Sequence, residues 1–173
     1  MKTVLITGGI GSGKSEARKY LAAKGFPTYD CDSRCKALYD EVPGLKSRIE
    51  EALGVPFSRI GVIFEDDAAR SALENIVFPF LHSDIMKWKE SHAEEKTGFI
   101  ESATASSHRI FDDCYDRIWL FEAPLDIRTG RNPKAAERDA LQSFDATEAD
   151  ARITNDGSIE DLHNRIDNLI RKI

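Results

Sequence analysis

The segment Gly8-Gly9-Ile10-Gly11-Ser12-Gly13-Lys14-Ser15 limits the possible folds more than any other part of the chain. Its glycines let the backbone curl so that successive N–H groups point at one place. A helix beginning at Lys14 would aim its positive end at the same place. Such a loop needs a strand to deliver the chain and a helix to carry it away. Lys2–Thr7 is a short apolar β-rich run, and Lys14–Lys24 reads as a helix stopped by Gly25. In that context the segment fits G-x-x-x-x-G-K-[ST], the pattern of a loop that holds a nucleoside triphosphate. Lys14 then reaches the β- and γ-phosphates, and the Ser15 hydroxyl meets Mg²⁺. The plain alternative is a glycine-rich strand-to-helix turn with no ligand, and the complete motif in its context weighs against it. Glu16 is the odd residue, since it brings negative charge to a place built for anions. A carboxylate in the first helical turn suits the helix dipole and opposes a nearby phosphate, so Glu16 is expected to turn outward.

Strands and helices alternate along the rest of the chain. Pro27–Tyr29, Thr97–Ser102, Arg117–Phe121 and Ala151–Thr154 read as further strands. Residues 33–96 read as a helical section, with a break at Pro43 and two helices, Asp67–Ile76 and Phe80–Glu95, meeting at Phe78-Pro79. Val55–Phe64 is ambiguous. Ser106–Cys114 is a short helix or loop, Leu125–Gly130 starts another helix, and a further one follows in "NPKAAERDALQSF". Ser158 and Asp161 have capping-box spacing before a final helix whose inner face carries Ile159, Leu162, Ile166, Leu169 and Ile170. This order predicts an α/β fold: a three-layer P-loop NTPase sandwich with a five-stranded parallel sheet and a helical insert.

At 173 residues and 41% hydrophobic content the chain has material for one core, and residues 1–173 are expected to form one domain. A net charge of −6 argues against a nucleic-acid partner. No apolar run approaches a membrane span, and no secretory h-region precedes the first strand. Cys31, Cys35 and Cys114 are an odd, sparse set, which fits a reducing cytoplasm better than a disulfide framework. Cys31 and Cys35 without nearby histidines make a poor zinc site.

"YDCDSRCKALYD" places Asp30 and Asp32 at the end of the second strand, beside the phosphate loop in a parallel sheet. A carboxylate there can orient an acceptor hydroxyl, take its proton or hold the magnesium shell. The bland reading is that one of them caps the helix beginning near Ser33. Asp32 is the stronger catalytic candidate. Arg34 either contacts an acceptor phosphate or pairs structurally. Glu101, at the end of the third strand, is a magnesium or acceptor candidate, or simply a strand-end charge. Phe80 and Trp88 could border an acceptor pocket, although aromatics at helical spacing are more often core, and Trp119 reads as core. His82, His92, His108 and His163 read as surface or packing residues.

At this point the chain resembles the dephospho-coenzyme A kinase family. "ITGGIGSGKS", "GFPTYDCDSRCKAL", "LENIVFPF" and "ADARITNDG" follow one another as that family's landmarks do and span most of the chain. The resemblance implies ATP-dependent phosphorylation of the 3′-hydroxyl of dephospho-coenzyme A, with Mg²⁺ and a small-molecule acceptor. Asp32 then matches the catalytic base. Gly9, Ile10, Gly11, Ser12, Gly13, Lys14 and Ser15 match the ATP-phosphate loop. Asn155 and Gly157 match the loop beside the adenine. Arg128 and Arg131 look like lid arginines, with Arg131 stabilising charge on the moving phosphoryl group. Ser15 is the magnesium ligand, with Asp30 and Glu101 as further candidates.

Several positions depart from the family pattern. Glu16 replaces a second hydroxyl, Phe78-Pro79 replaces His-Pro, Glu101 replaces an aspartate, and "FIESATASSH" replaces an acidic-then-apolar segment. The lid, residues 128–148, is short, with Lys134 and Arg138 as partial substitutes or as a solvated helix face. A lid brings arginine charge to the γ-phosphate and excludes water. Three readings therefore stay open: a kinase for dephospho-coenzyme A, a kinase for a nucleoside monophosphate, and an ATP-binding relative without catalysis. A monomer or a small homo-oligomer would satisfy each.

Overall fold

The computed structural model describes residues 1–139, 144 and 147–173, apart from the side chains of 62–65, 138 and 139. Five strands, β1 (Lys2–Gly8), β2 (Thr28–Asp30), β3 (Thr97–Glu101), β4 (Arg117–Glu122) and β5 (Ala151–Thr154), form one parallel sheet in the order β2-β3-β1-β4-β5. The pairing runs Ile6 to Glu101, Ile6 to Trp119, Asp30 to Glu101 and Phe121 to Ile153. β1 is central, so the loop leaving its carboxyl end emerges between the ends of β3 and β4, where ligands of open α/β sheets bind.

The two-residue period of the strands sorts their side chains into two cores. Val4 and Ile6 of β1, Phe99 of β3, and Trp119 and Phe121 of β4 face α1 (Lys14–Ala23) and α7 (Ile159–Ile170), packing with Leu21, Leu162 and Ile166. Leu5 and Ile100, one residue out of step, face α2 (Cys31–Glu41), α3 (Leu45–Leu53) and α4 (Asp67–Ser91) with Leu38, Ile49, Val77 and Ile85. Both faces of the sheet are therefore covered, which is why its strands read as continuous apolar runs rather than alternating ones. The expected three layers and helical insert are present.

Local chemistry sets the helix ends. Asp30 caps α2 by accepting from the Ser33 N–H, and Asp66 caps α4 by accepting from Ala68 and Ala69. Ser158 and Asp161 form the capping box that opens α7. The break expected at Pro43 separates α2 from α3, and Gly44 and Gly54 bound α3 at its two ends. Short 3-10 turns at Ala105–Ser107 and Arg109–Phe111 join β3 to β4. The ambiguous stretch after Val55 contains a 3-10 run, Phe57–Glu65. α5 (Leu125–Arg131) and α6 (Ala135–Asp139) occupy the first part of the expected lid, and part of its remainder lies outside the described residues. No helix among the described residues is long and apolar enough to cross a membrane.

One expectation is corrected. Phe78-Pro79 does not separate two helices: α4 runs unbroken from Asp67 to Ser91 with Pro79 inside it. Proline in a helix interior costs about 3 kcal/mol through its lost N–H and its clash with the preceding turn. Leu73, Val77, Leu81 and Ile85, four apart on one face and all buried, offset that cost by holding both halves on the same core. Pro79→Ala should therefore raise stability by about 1–3 kcal/mol in urea unfolding, with helix content retained. A destabilised variant would mean that the proline is required where it stands.

Candidate active site

The phosphate loop is shaped by close approach on its outer side. Gly11 and Gly13 have φ of 76° and 103°, in the left-handed region that favours glycine. A Cβ on Gly11 would lie 2.7 Å from the Arg128 carbonyl oxygen, and one on Gly13 would lie 2.2 Å from Asn155 Nδ2. The Asn155 side chain is buried and donates through Nδ2 to the Ser12 carbonyl at 2.9 Å. Arg131 donates to the Gly11 carbonyl at 3.1 Å and to Asn155 Oδ1 at 3.4 Å. α5 and the turn after β5 thus brace the loop by occupying its carbonyls, an arrangement that leaves its N–H groups for an anion. The Ser12 side chain is fully buried, so any contact it makes with a phosphate is through its backbone.

Five side chains meet at the loop's end. The Ser15 hydroxyl donates to Glu101 Oε1 at 2.5 Å, and Arg18 Nε donates to Glu101 Oε2 at 2.7 Å. Arg18 also reaches Asp30 at 3.0 Å, bridging the ends of β3 and β2. Lys14 Nζ donates to the Gly9 carbonyl at 2.9 Å, inside the curl of the loop. Burial pushes the Lys14 ammonium below its ordinary pKa, against the upward pull of Glu101 and Asp32, and Arg128 adds to the lowering.

Asp30 ends β2, whereas Asp32 falls in the first turn of α2 rather than on the strand, and the two have separate roles. Burial works to raise the Asp30 carboxyl, but the Ser33 N–H and hydroxyl and the Arg18 charge hold it below its usual value. Asp30 is thus a helix cap and an ion-pair partner, and it borders a separate depression with Arg34 and Trp88. Asp32 reaches solvent through a cleft, yet enough protein surrounds its carboxylate for burial to raise its pKa. Asp30 and Glu101, both negative, raise it further, and Lys14 opposes them.

Lys14, Ser15, Asp32, Glu101 and Arg131 line one cavity of about 970 Å³, which continues over the helical section. α2 supplies Asp32, Cys35, Lys36 and Tyr39 to it, and α4 supplies Arg70, Leu73, Glu74, Val77 and Phe78. Both sets follow the spacing of one helix face, i, i+3, i+4 and i+7. That spacing was the signal by which Lys36, Tyr39, Arg70 and Glu74 could have been found. Phe78 packs edge-on against His108 and Phe111, at 4.8 and 5.0 Å between ring centres.

Other expected residues fall as follows. Arg34 pairs with Asp84 at 2.8 Å and with Glu41 at 2.8 Å, a structural role. Trp88 packs on Tyr29, and Phe80 lies under Arg48, so the cavity's aromatic wall is formed by Tyr39, Phe57 and Phe78 instead. Trp119 is core, as expected. Arg128 is buried beside the loop, with Nε donating to the Ala123 carbonyl. Gly157 sits in the turn between β5 and α7, where a Cβ would meet Asp161 at 2.7 Å. Lys134 lines the cavity, and the side chain of Arg138 lies outside the described residues. Glu16 turns toward α7, where its carboxylate lies 3.1 Å from His163 Nε2, but it still borders the cavity. The His163 ring in turn stacks on Tyr20 with centres 3.7 Å apart.

The site fits a magnesium nucleotide. The braced glycine curl and the N-terminus of α1 present backbone donors, and Lys14 adds a cation. The Ser15 hydroxyl, its proton donated to Glu101, keeps oxygen lone pairs for a hard cation.

No protein-family model matches the chain. A dephospho-CoA kinase of Porphyromonas gingivalis is 33% identical over 140 residues, covering 76% of this chain and 68% of that protein. One from Rickettsia bellii is 27% identical over 188 residues, covering 100% of this chain and 98% of that protein. A crystal structure of a Thermus thermophilus protein superposes with a TM-score of 0.79 at 26% identity, covering 99% of this chain and 97% of the other.

Because its native pKa is raised, ionised Asp32 costs stability at every pH above that value. The cost fades as pH falls and is gone below about 3.9, where the unfolded carboxyl is protonated too. Asp32→Asn should accordingly raise the melting temperature at pH 7 and lose that advantage in acid. An advantage that did not shrink on acidification would disprove the electrostatic origin.

Proposed function

Since the chain belongs to the dephospho-CoA kinase family, we propose that it transfers the terminal phosphoryl group of ATP to the 3′-hydroxyl of dephospho-coenzyme A or a close analogue. The observation that carries this reading is the shared cavity. Lys14, Ser15, Asp32 and Glu101 open into the same space that Tyr39, Arg70 and Phe78 wall on the other side. A binding loop alone would not need a deep second wall, whereas a kinase must hold its acceptor beside the phosphate.

When bound, Mg·ATP supplies the phosphoryl group, and the metal's charge shields the phosphate oxygens. The chain's own residues do the rest. The loop N–H groups and Lys14 hold the anion, and the Ser15 hydroxyl, oriented by Glu101, holds the metal. Asp32 accepts the proton of the acceptor hydroxyl, a task for which its raised pKa makes it a better base than an ordinary aspartate. Arg131, anchored on the Gly11 carbonyl at the cavity edge, offers positive charge beside the loop. In this reading residues 33–96 are the acceptor wall, and residues 128–148 are a short lid. The cavity's mixed lining suits an acceptor with apolar or stacking parts and anionic parts: Phe57, Ile60 and Phe78 for the first, Lys36, Arg70 and Lys134 for the second. The same reading places the protein in the cytoplasm, as a monomer or small homo-oligomer.

With Mg²⁺, ATP and dephospho-coenzyme A, the wild type should form coenzyme A and ADP in equal amounts. ADP in excess of coenzyme A would report water entering under the short lid. Asp32→Asn should lower turnover by about 10²–10⁴-fold while ATP affinity is retained, and Lys14→Ala should lose affinity. The acid limb of the kcat profile should lie above the ordinary aspartate range, because the base must be ionised and its pKa is raised. ADP formation at background with or without acceptor would make this a nucleotide-binding protein. Turnover of a nucleoside monophosphate, and none of dephospho-coenzyme A, would reassign the acceptor.

A further inference from the structure

Away from the phosphate loop, α4 and the segment ahead of β4 bring together three side chains that phosphoryl transfer does not use. Among the described residues, His82, Asp113 and Cys114 form a set in which an imidazole nitrogen, a carboxylate oxygen and a thiol sulfur all lie within 4.8 Å of one another. His82 Nε2 is 2.8 Å from Asp113 Oδ1, and Cys114 Sγ is 3.7 Å from the same oxygen. We propose that these residues bind a zinc-class transition-metal ion, with His82, Asp113 and Cys114 as three ligands and water as the fourth.

Two of the three ligand spacings lie near those of a tetrahedral ion. Bonds of about 2.0–2.1 Å to nitrogen and oxygen and about 2.3 Å to sulfur place ligand atoms roughly 3.3–3.6 Å apart. The sulfur–oxygen spacing is already close to that. The His82–Asp113 pair must open by about half an ångström, a side-chain movement at a site where Asp113 is 64% exposed. The donor set selects the metal. A thiolate and an imidazole favour zinc and its neighbours over magnesium or calcium, which take oxygen ligands. This makes the site chemically distinct from Ser15 and Glu101.

The charges also balance. The hydrogen bond from His82 holds the Asp113 carboxyl below its ordinary pKa, so it arrives ionised. Burial pushes the Cys114 thiol up to about 12, so the metal must displace a proton: M²⁺ and Cys–SH give M–S–Cys and one H⁺ released to water. The dication then meets one carboxylate and one thiolate and is neutralised. Access is from one side, past the exposed Asp113, while Cys114 closes the inner side against the core. Lys89 Nζ donates to the carbonyls of Asp113 and Cys114, at 3.1 and 3.0 Å, and so fixes the backbone that carries both ligands.

The ion would clip α4 to the β3–β4 connection. His82 is one turn beyond Phe78, and Phe78 packs on Phe111 of that connection, so the clip sits behind the aromatic wall of the cavity.

The test uses tag-free full-length protein titrated with Co²⁺ as an optical probe. One equivalent per chain should produce thiolate-to-metal absorption in the near ultraviolet, and Zn²⁺ should abolish it. Cys114→Ser and His82→Ala should each remove the band, with circular dichroism confirming the fold. Zn²⁺ should raise the melting temperature of the wild type and of neither variant. If Cys114→Ser fails to fold, His82→Ala decides alone, since that side chain is partly exposed. Absence of a thiolate band in the wild type under excess Co²⁺ would overturn the proposal. A band that survives in either variant would do the same, and one that survives in Cys114→Ser would place the thiolate on Cys31 or Cys35. None of these readouts involves kinase activity, so the two proposals fail separately.

Discussion

The site depends on making like charges tolerable at one end of a parallel sheet. β2 and β3 end in register with Asp30 beside Glu101, and Asp32 follows at once on α2. Left alone, these acids would repel one another and any polyphosphate brought near. Arg18, one turn into α1 from Lys14, bridges Asp30 and Glu101 and so ties both strand ends to the helix that begins at the phosphate loop. Because each carboxylate is also hydrogen-bonded, Asp30 by Ser33 and Glu101 by Ser15, the bridged pair is satisfied, and Asp32 is left with only the charges of Lys14 and Lys36 to oppose its burial and its acidic neighbours. The residue suited to accept a proton is the one that the ion-pair chain leaves out.

The loop's shape is owed to distant parts of the sequence. Glycines permit the curl, but Asn155 and Arg131 hold it by taking the carbonyls of Ser12 and Gly11. These contacts join residues separated by more than a hundred positions, so the loop is held only when β4, α5 and β5 are in place. Turning the carbonyls outward is what concentrates donors on the inner side. The brace and the anion site are two consequences of one backbone arrangement.

Much of this was legible in the sequence. The strand–glycine loop–helix unit, the five strands and the capping box are local patterns, each with its own composition and period. The insert was legible as helical, but the continuity of α4 was not. A proline signals a break on local grounds, and only the shared core beneath Val77 and Leu81 overrides it. The loop residues and Asp32 were legible because their chemistry is tied to fixed spacing. The brace carried no such signal: Asn155 was matched by position to the loop beside the adenine, and nothing local says that its side chain also grips the phosphate loop's backbone. The cavity walls were half legible, since the faces of α2 and α4 repeat at helical spacing but nothing local says which face meets the loop.

Glu16 shows how a departure from a family pattern is absorbed physically. At the first turn of α1 its carboxylate is favoured by the helix dipole, by about 0.3–1 kcal/mol at an exposed site. The same position would set it against a phosphate held by the loop. His163, stacked on Tyr20, offers a hydrogen-bond partner on the α7 side and draws the carboxylate that way. The Tyr20 hydroxyl is itself fixed on Asp167, so the whole assembly rests on the packing of α1 against α7. The charge is therefore displaced rather than removed, since Glu16 still borders the cavity. The loop's preference for an anion then depends on α7 keeping hold of one side chain, a dependence that a hydroxyl at position 16 would not create.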